Sequence, residues 1–536
     1  MSFAEQLRVL QAAQGDAAKL ALATVDLKYP EVSESERAAL REALEAAAIP
    51  HWCNKGILAA LLQISPEDSA ARLKRLRGLT VVEPFLARGE TAVNVHESAR
   101  LALRKAMVSD SRGRFCTLSR RAAARFENDI TPAGRTEWIY HLLGADAERG
   151  ADELETLSGQ WWGRARPEDE YALAAALKEL EDSRLTAGRA RVWSLLAIIW
   201  ARRMHGDAAQ LEAEANEVLC LAREIKDQSA EGDAQALLGD TFQAQGKLAE
   251  AQAAFGEDLA ISRRLAGQDP GNAGWQRKLA VAHRRVGDLL DAQGKLAEAQ
   301  AAFGEDLTIS RRLASQDPGN AGWQRDLAAA HNRMGGVLEA RGKLADAQAA
   351  FGESLAISRR LAAQDPSNAR WQQDLAVAHT KVGGVLEVQG KLAEAQAAFG
   401  ESLAISRRLV AQDPSNARWQ QELAMAHSKV GGALQAQGKL AEAQAAFGES
   451  VAILRRLAAQ EPSNAGWQRD LAGACVSMAR FEVKSDRHAA ALPFYEEASR
   501  IFGELAVKAP GFAQWAKDKE LVEAELAACR LMVKSA

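Results

Sequence analysis

Residues 323–370 read WQRDLAAAHNRMGGVLEARGKLADAQAAFGESLAISRRLAAQDPSNAR, and Trp371 opens the same passage again. Trp275, Trp323, Trp371, Trp419, Trp467 and Trp515 stand 48 residues apart throughout. A unit that cannot bury its own apolar face must stack on its neighbours. Tandem copies of such a unit form a quasi-one-dimensional solenoid, an architecture that usually holds a partner along its surface rather than performing chemistry.

Each copy contains two helical periodicities. Trp275, Leu279, His283, Val286 and Leu290 recur at three- and four-residue steps and share one face of a first helix. Leu296, Ala299, Phe303, Leu307 and Leu313 do the same for a second. Gly246, Gly294, Gly342, Gly390 and Gly438 follow the first helix, where a left-handed residue ends it. Pro318 disfavours helical geometry at Asp317, as do its counterparts Pro270, Pro366, Pro414, Pro462 and Pro510 at the residues before them, and Asn320 is placed to cap the helix that follows. Glycines also recur inside both helices, at Gly287, Gly335, Gly383 and Gly431 and at Gly304, Gly352, Gly400 and Gly448. Each costs about 1 kcal/mol against alanine, so both sets predict places where backbones approach closely.

This pattern resembles the tetratricopeptide repeat. The small residue of the first helix corresponds to Gly287, the turn glycine to Gly294, the alanine to Ala299 and the terminal proline to Pro318. The aromatic corresponds to Phe303, with Phe255, Phe351, Phe399, Phe447 and Tyr495 in register. The family unit is about 34 residues, so each helix here is longer. The resemblance implies an all-α, right-handed superhelical solenoid over residues 186–536, with about six 48-residue repeats plus caps. Residues 189–227 form an atypical pair around Gly206, and the last copy carries Ala479 and Asp486 in place of its glycines, as the ends of a finite array require.

The N-terminal part differs. After a helical segment over residues 1–48, NKGILAALLQI is helix-like, Ser65 caps SPEDSAARLKRLRGL, and TVVEPFLARGETAVNVH alternates as a β-hairpin with a glycine-containing turn. The order helix, helix, hairpin, helix over residues 49–110 is that of a winged-helix module, α with one β-hairpin. PHWCNKGILAALL, LKRLRGLTVVEPF, NVHESARLALR, FCTLSRRAAARF and WIYHLLGAD resemble the winged-helix region of STAND-type signalling ATPases, bacterial relatives of NLR proteins. The resemblance implies that His96 matches a histidine that senses bound nucleotide. The chain contains no GxxxxGK[ST] phosphate loop, so His96 has no nucleotide to sense within it and is expected to pack under the hairpin. Residues 111–185 form a helical linker region.

The net charge of −4 argues against nucleic acid as a general partner. Five scattered cysteines without a CxxC pair read as buried thiols in a reducing compartment. No run approaches the roughly 20 apolar residues of a membrane helix, and MSFAEQLRVLQAAQGD lacks a basic leader, so a cytoplasmic protein is expected.

Catalysis finds no support: there is no nucleophile elbow, no metal-ligand spacing and no expected cofactor. His283, His331, His379 and His427 repeat with the tryptophans and read as packing positions. The Arg pairs, such as Arg311-Arg312 and Arg359-Arg360, read as a solvated face neutralised by nearby acids. The resemblance places the partner groove at Arg284, Asn332, Thr380 and Ser428, where the copies differ, with Arg285, Arg333, Lys381 and Lys429 keeping a positive charge beside them. The expected function is a non-enzymatic scaffold, adaptor or sensor of a bacterial signalling or defence assembly, whose protein partner is a separate effector such as an ATPase or protease. The alternative is a winged-helix DNA-binding transcriptional regulator with a repeat sensor, using Arg72, Lys74, Arg75 and Arg77.

Overall fold

The computed structural model describes residues 8, 11–13, 15–161, 167–203, 208–508 and 513–535. They form two units, residues 1–269 and 270–536. In the first unit α1 (Ala17–Lys28) and α2 (Glu34–Ala47) precede α3 (Lys55–Leu62) and α4 (Pro66–Leu76). Ser65 caps α4 through its hydroxyl, which accepts from the Asp68 N–H at 3.0 Å, with Glu67 and Asp68 favourably placed at the positive helix end.

The hairpin follows, β1 (Val82–Pro84) against β2 (Val93–Val95), antiparallel, with Val82 opposite Val95. Cys53 bridges to Val93 and fixes the hairpin to the chain before α3. Leu44, Ile49, Leu58, Leu61, Leu76 and Val93 are fully buried around it. Long α5 (Glu97–Phe126) leaves helical geometry at Ser111, and α6 (Pro132–Ala145), α7 (Ala147–Trp161) and α8 (Pro167–Asp182) pack beyond it. α9 (Gly188–Arg202) and α10 (Ala208–Glu224) flank Gly206, which lies outside the described residues. α11 (Gln228–Ala244) and α12 (Leu248–Gln268) complete the unit as a helical hairpin.

The second unit stacks hairpins. Their first helices are α13 (Ala273–Ala292), α15 (Ala321–Ala340), α17 (Ala369–Val388), α19 (Ala417–Ala436) and α21 (Ala465–Lys484). Their second helices are α14 (Leu296–Gln316), α16 (Leu344–Gln364), α18 (Leu392–Gln412), α20 (Leu440–Gln460) and α22 (His488–Lys508), and α23 (Ala513–Ser535) follows. Each first helix starts on an asparagine: Asn272, Asn320, Asn368, Asn416 and Asn464 accept from the N–H three residues on at 3.1 to 3.2 Å. Each of the first four stops at a turn glycine, Gly294, Gly342, Gly390 or Gly438, whose φ is 74° to 77°. Asp486 takes the same left-handed conformation in the last turn, φ 55°.

Within a hairpin the helices close over a glycine. A Cβ on Gly287, Gly335, Gly383 or Gly431 would stand 2.5 to 3.1 Å from the ring of Phe303, Phe351, Phe399 or Phe447. The expected approach of backbone to backbone is not what these glycines serve, since they make room for a ring; nor do the second-helix glycines meet it, because a Cβ on Gly352, Gly400 or Gly448 would touch nothing within 4 Å, and one on Gly304 only the Met334 methyl at 3.9 Å. They face open space rather than a neighbouring backbone. Between hairpins the tryptophans make the joint, Trp371 packing on Ala328, Ile357 and Leu361, and Trp419 on Ala376, Ile405 and Leu409. This conserves one contact along the stack while each hairpin buries its own Phe.

Cys53, Cys475 and Cys529 are buried, and burial pushes the Cys475 thiol up to about 12. Cys220 is exposed and Cys116 half-buried, contrary to the expectation of buried thiols, because both stand on outward positions of their helices. No described helix is long and apolar enough to cross a membrane.

Candidate functional site

First helices of successive hairpins touch one another directly and are joined by a polar ladder. Arg277 donates to Asp326 at 2.7 Å, Arg325 to Asp374 at 2.5 Å, Gln373 to Glu422 at 3.0 Å, and Gln421 to Asp470. The ladder turns these four carboxylates toward the neighbouring helix.

The sequence candidates divide. Arg284 forms an ion pair with fully buried Asp306 of α14 at 3.1 Å, and the Thr380 hydroxyl meets the Ser402 hydroxyl of α18 at 2.9 Å. These side chains turn onto the second helix of their own hairpin. Asn332 and Ser428 occupy the same register, half-buried, and the Asn332 amide oxygen is buried without a protein partner. The basic position beside them looks outward. Arg333 pairs with Asp288 of the preceding first helix at 2.9 Å, Arg285 is half-buried, and Lys381 and Lys429 are exposed.

His283, His331, His379 and His427 are buried, at 6% to 8% exposure, as packing positions are. Burial holds the last three below the usual histidine range, with Arg311, Arg359 and Arg407 adding to the effect. In the Arg pairs Arg312, Arg360 and Arg456 donate to the amides of Gln276, Gln324 and Gln420, while Arg455 pairs with Glu497 at 2.6 Å, an acid as expected.

In the first unit His96 stands at the N-cap of α5 with its ring exposed, its Nδ1 3.3 Å from the Ser98 hydroxyl. It does not pack under the hairpin, because the backbone N–H donates to Val81 and aims the ring away from the core. Arg72 pairs with Glu42 and Arg75 with Glu36, and Arg77 donates to the Glu90 carbonyl, which leaves Lys74 as the outward cation of α4.

Sequence reasoning missed a cavity of about 1100 Å³ beside α5, α6 and α8. On its wall Glu179 receives Arg100 through two bonds of 3.0 and 2.8 Å, together with Arg104 and the Tyr140 hydroxyl. His51 stands between Glu137, at 2.9 Å, and Glu179, at 3.7 Å. Burial raises the Glu179 pKa, but His51, Arg104 and Arg100 outweigh it and hold the carboxyl down at about 2. Burial lowers His51, yet Glu137 and Glu179 leave it raised above its ordinary value. Both carboxylates of the cluster are paired with cations, the Arg104 Nε is buried without a partner, and the group ties α8 to α5 and α6. It lacks an unpaired base or nucleophile and reads as structural. Separations of 79 and 86 residues hid it from any local pattern.

The fold so assembled is all-α, with stacked helical hairpins of tetratricopeptide type and, among the described residues, one small two-stranded sheet. The tetratricopeptide repeat family matches residues 233–270, the hairpin of α11 and α12. The chain is similar to a STAND protein, a signal transduction ATPase with numerous domains, that carries a tetratricopeptide repeat sensor and comes from Pyrococcus horikoshii. The identity is 12% and the TM-score 0.58, over 97% of this chain and 72% of that one, a likeness of fold alone. Looser likenesses are aspartyl phosphate phosphatase F from Bacillus subtilis (12% identity, TM-score 0.43, 74% of this chain and 90% of that one) and BtubC from P. vanneervenii (19% identity, TM-score 0.38, 48% and 93%). No curated protein matches.

Proposed function

We propose that this chain is a non-enzymatic scaffold or adaptor that holds a protein partner against the solvent face of its first-helix layer. The observation that carries this reading is the ladder from Arg277 to Asp470, which fastens first helix to first helix and leaves the outward stripe of that layer, Val377 and Met425 included, open to solvent. An extended, repetitive surface of this kind suits a polypeptide better than a small substrate.

The N-terminal helices, hairpin and following helix have the order of a winged-helix module, and the likeness to a STAND protein with a repeat sensor supports a place in a bacterial signalling or defence assembly. In that reading the chain is a cytoplasmic regulatory subunit with 48-residue units, and the effector, an ATPase or protease, is a separate chain. A DNA-reading role has less support, since Arg72, Arg75 and Arg77 are engaged within the chain.

The test is purification of the full chain from its own host, followed by reconstitution of any retained protein as a defined complex. A stoichiometric partner that is lost with Met425→Arg at unchanged melting temperature is expected. Absence of any stoichiometric partner, or salt-dependent binding of duplex DNA in its place, contradicts the reading.

A further inference from the structure

Val377, Lys381, Gly384 and Val388 follow one another at steps of four, three and four, and so form a single stripe on α17. Met425, Lys429, Gly432 and Ala436 repeat it on α19. Val377 is 46% exposed, Met425 57% and Val388 61%, large apolar groups held in water on the same face as two exposed lysines.

Charge separates these two hairpins from the ones before. Arg333 lies on the equivalent position of α15, and its guanidinium is neutralised by Asp288 of α13. The position of Asp288 is Gly336, Gly384 and Gly432 in the later copies. The acid that would receive Lys381 or Lys429 is therefore missing, and neither lysine makes an ion pair among the described residues. Asp374 and Glu422, on the same helices, are held by the ladder. Glu387 lies 3.8 Å from where a Gly432 Cβ would stand and forms an ion pair with neither lysine. A Cβ on Gly336 or Gly384 would meet nothing within 4 Å, so these glycines leave the backbone bare where they replace the acid.

We propose that the stripe of α17 and α19 is the docking subsite of the scaffold and that its occupant is an acidic segment of a partner protein, with carboxylates on Lys381 and Lys429 and an apolar side chain against Val377 and Met425. The inference rests on the scaffold reading above and adds to it the place and the chemistry. Unpaired cations flanking exposed apolar surface favour an occupant that brings both complements, and the paired Arg333 marks where the subsite ends.

The experiment is selection of a displayed 12-residue random peptide library on the full chain, on Lys381→Glu/Lys429→Glu and on Lys381→Gln/Lys429→Gln. The wild type is expected to enrich peptides rich in Asp and Glu with at least one large apolar residue. The Glu variant should lose about tenfold or more in affinity for them, and the Gln variant less, at unchanged melting temperature. Enriched peptides without acidic bias, or with affinity indifferent to both variants, overturn the subsite and leave the scaffold standing. No enrichment at all counts against both. A labelled oligonucleotide that binds through these lysines, or a dimer that the Glu variant dissociates in sedimentation, assigns the face to another occupant and likewise overturns the proposal.

Discussion

Gly335 lies beneath the ring of Phe351: a Cβ on the glycine would stand 2.6 Å from two ring carbons, whereas one on adjacent Gly336 would meet nothing within 4 Å. Two neighbouring glycines of one helix thus have different reasons to be there. Gly335→Ala is expected to destabilise the chain by about 1–3 kcal/mol through overpacking. Gly336→Ala is expected to stabilise it by up to about 1 kcal/mol, because the helix gains propensity and nothing is displaced. Urea midpoints of the two variants check this, and equal shifts would refute the distinction.

Asn368 closes the N-terminus of α17 by accepting from Trp371 N–H at 3.2 Å. Asn368→Ala should cost about 1 kcal/mol, while Asn368→Gly should cost only a few tenths. Because each hairpin rests on its neighbours, hydrogen exchange ought to show the loss centred on α17 and the flanking helices rather than spread over the chain. Uniform loosening would argue against a stack held by nearest neighbours.

The buried cluster around Glu179 sets a pH dependence. The folded carboxyl sits at about 2 against an ordinary 4.5, so its contribution is fully present above 4.5 and lost as the pH falls from there toward 2. Glu179→Gln leaves Arg100 and Arg104 buried without their acid and should cost about 3 kcal/mol at neutral pH. The gap between wild type and variant should narrow below pH 4.5 in thermal melts. A gap that stays constant to pH 3 would show that the carboxylate is not what the cluster depends on.

Local chemistry made the hairpins legible in the sequence. Asn320, Gly342 and Pro366 act within a few residues of themselves, so their spacing alone marks where the helices around Trp323 and Phe351 begin and end. The rotational phase of the first helices was harder to read. Arg284 and Arg285 are adjacent in sequence, yet Arg284 turns onto Asp306 within its hairpin, while the equivalent of Arg285 two copies on is the exposed Lys381. Only the packing of α13 against α14 decides which neighbour is covered. The second-helix glycines misled for a related reason, since an open helix position and a crowded one carry the same letter. His51, Glu137 and Glu179 meet from one connecting segment and two helices, and no periodicity connects them.

The first-helix layer is the face proposed to carry a partner. Its most direct measurement places a photo-crosslinking amino acid singly at Val377, Met425, Ala349 and Ala397 of the full chain, in the cells that make it. The first two lie on the outward stripe of α17 and α19, the last two on exposed positions of α16 and α18. One discrete adduct from Val377 and Met425, with none from Ala349 and Ala397, is the predicted result. Adducts from the second-helix positions alone would contradict it.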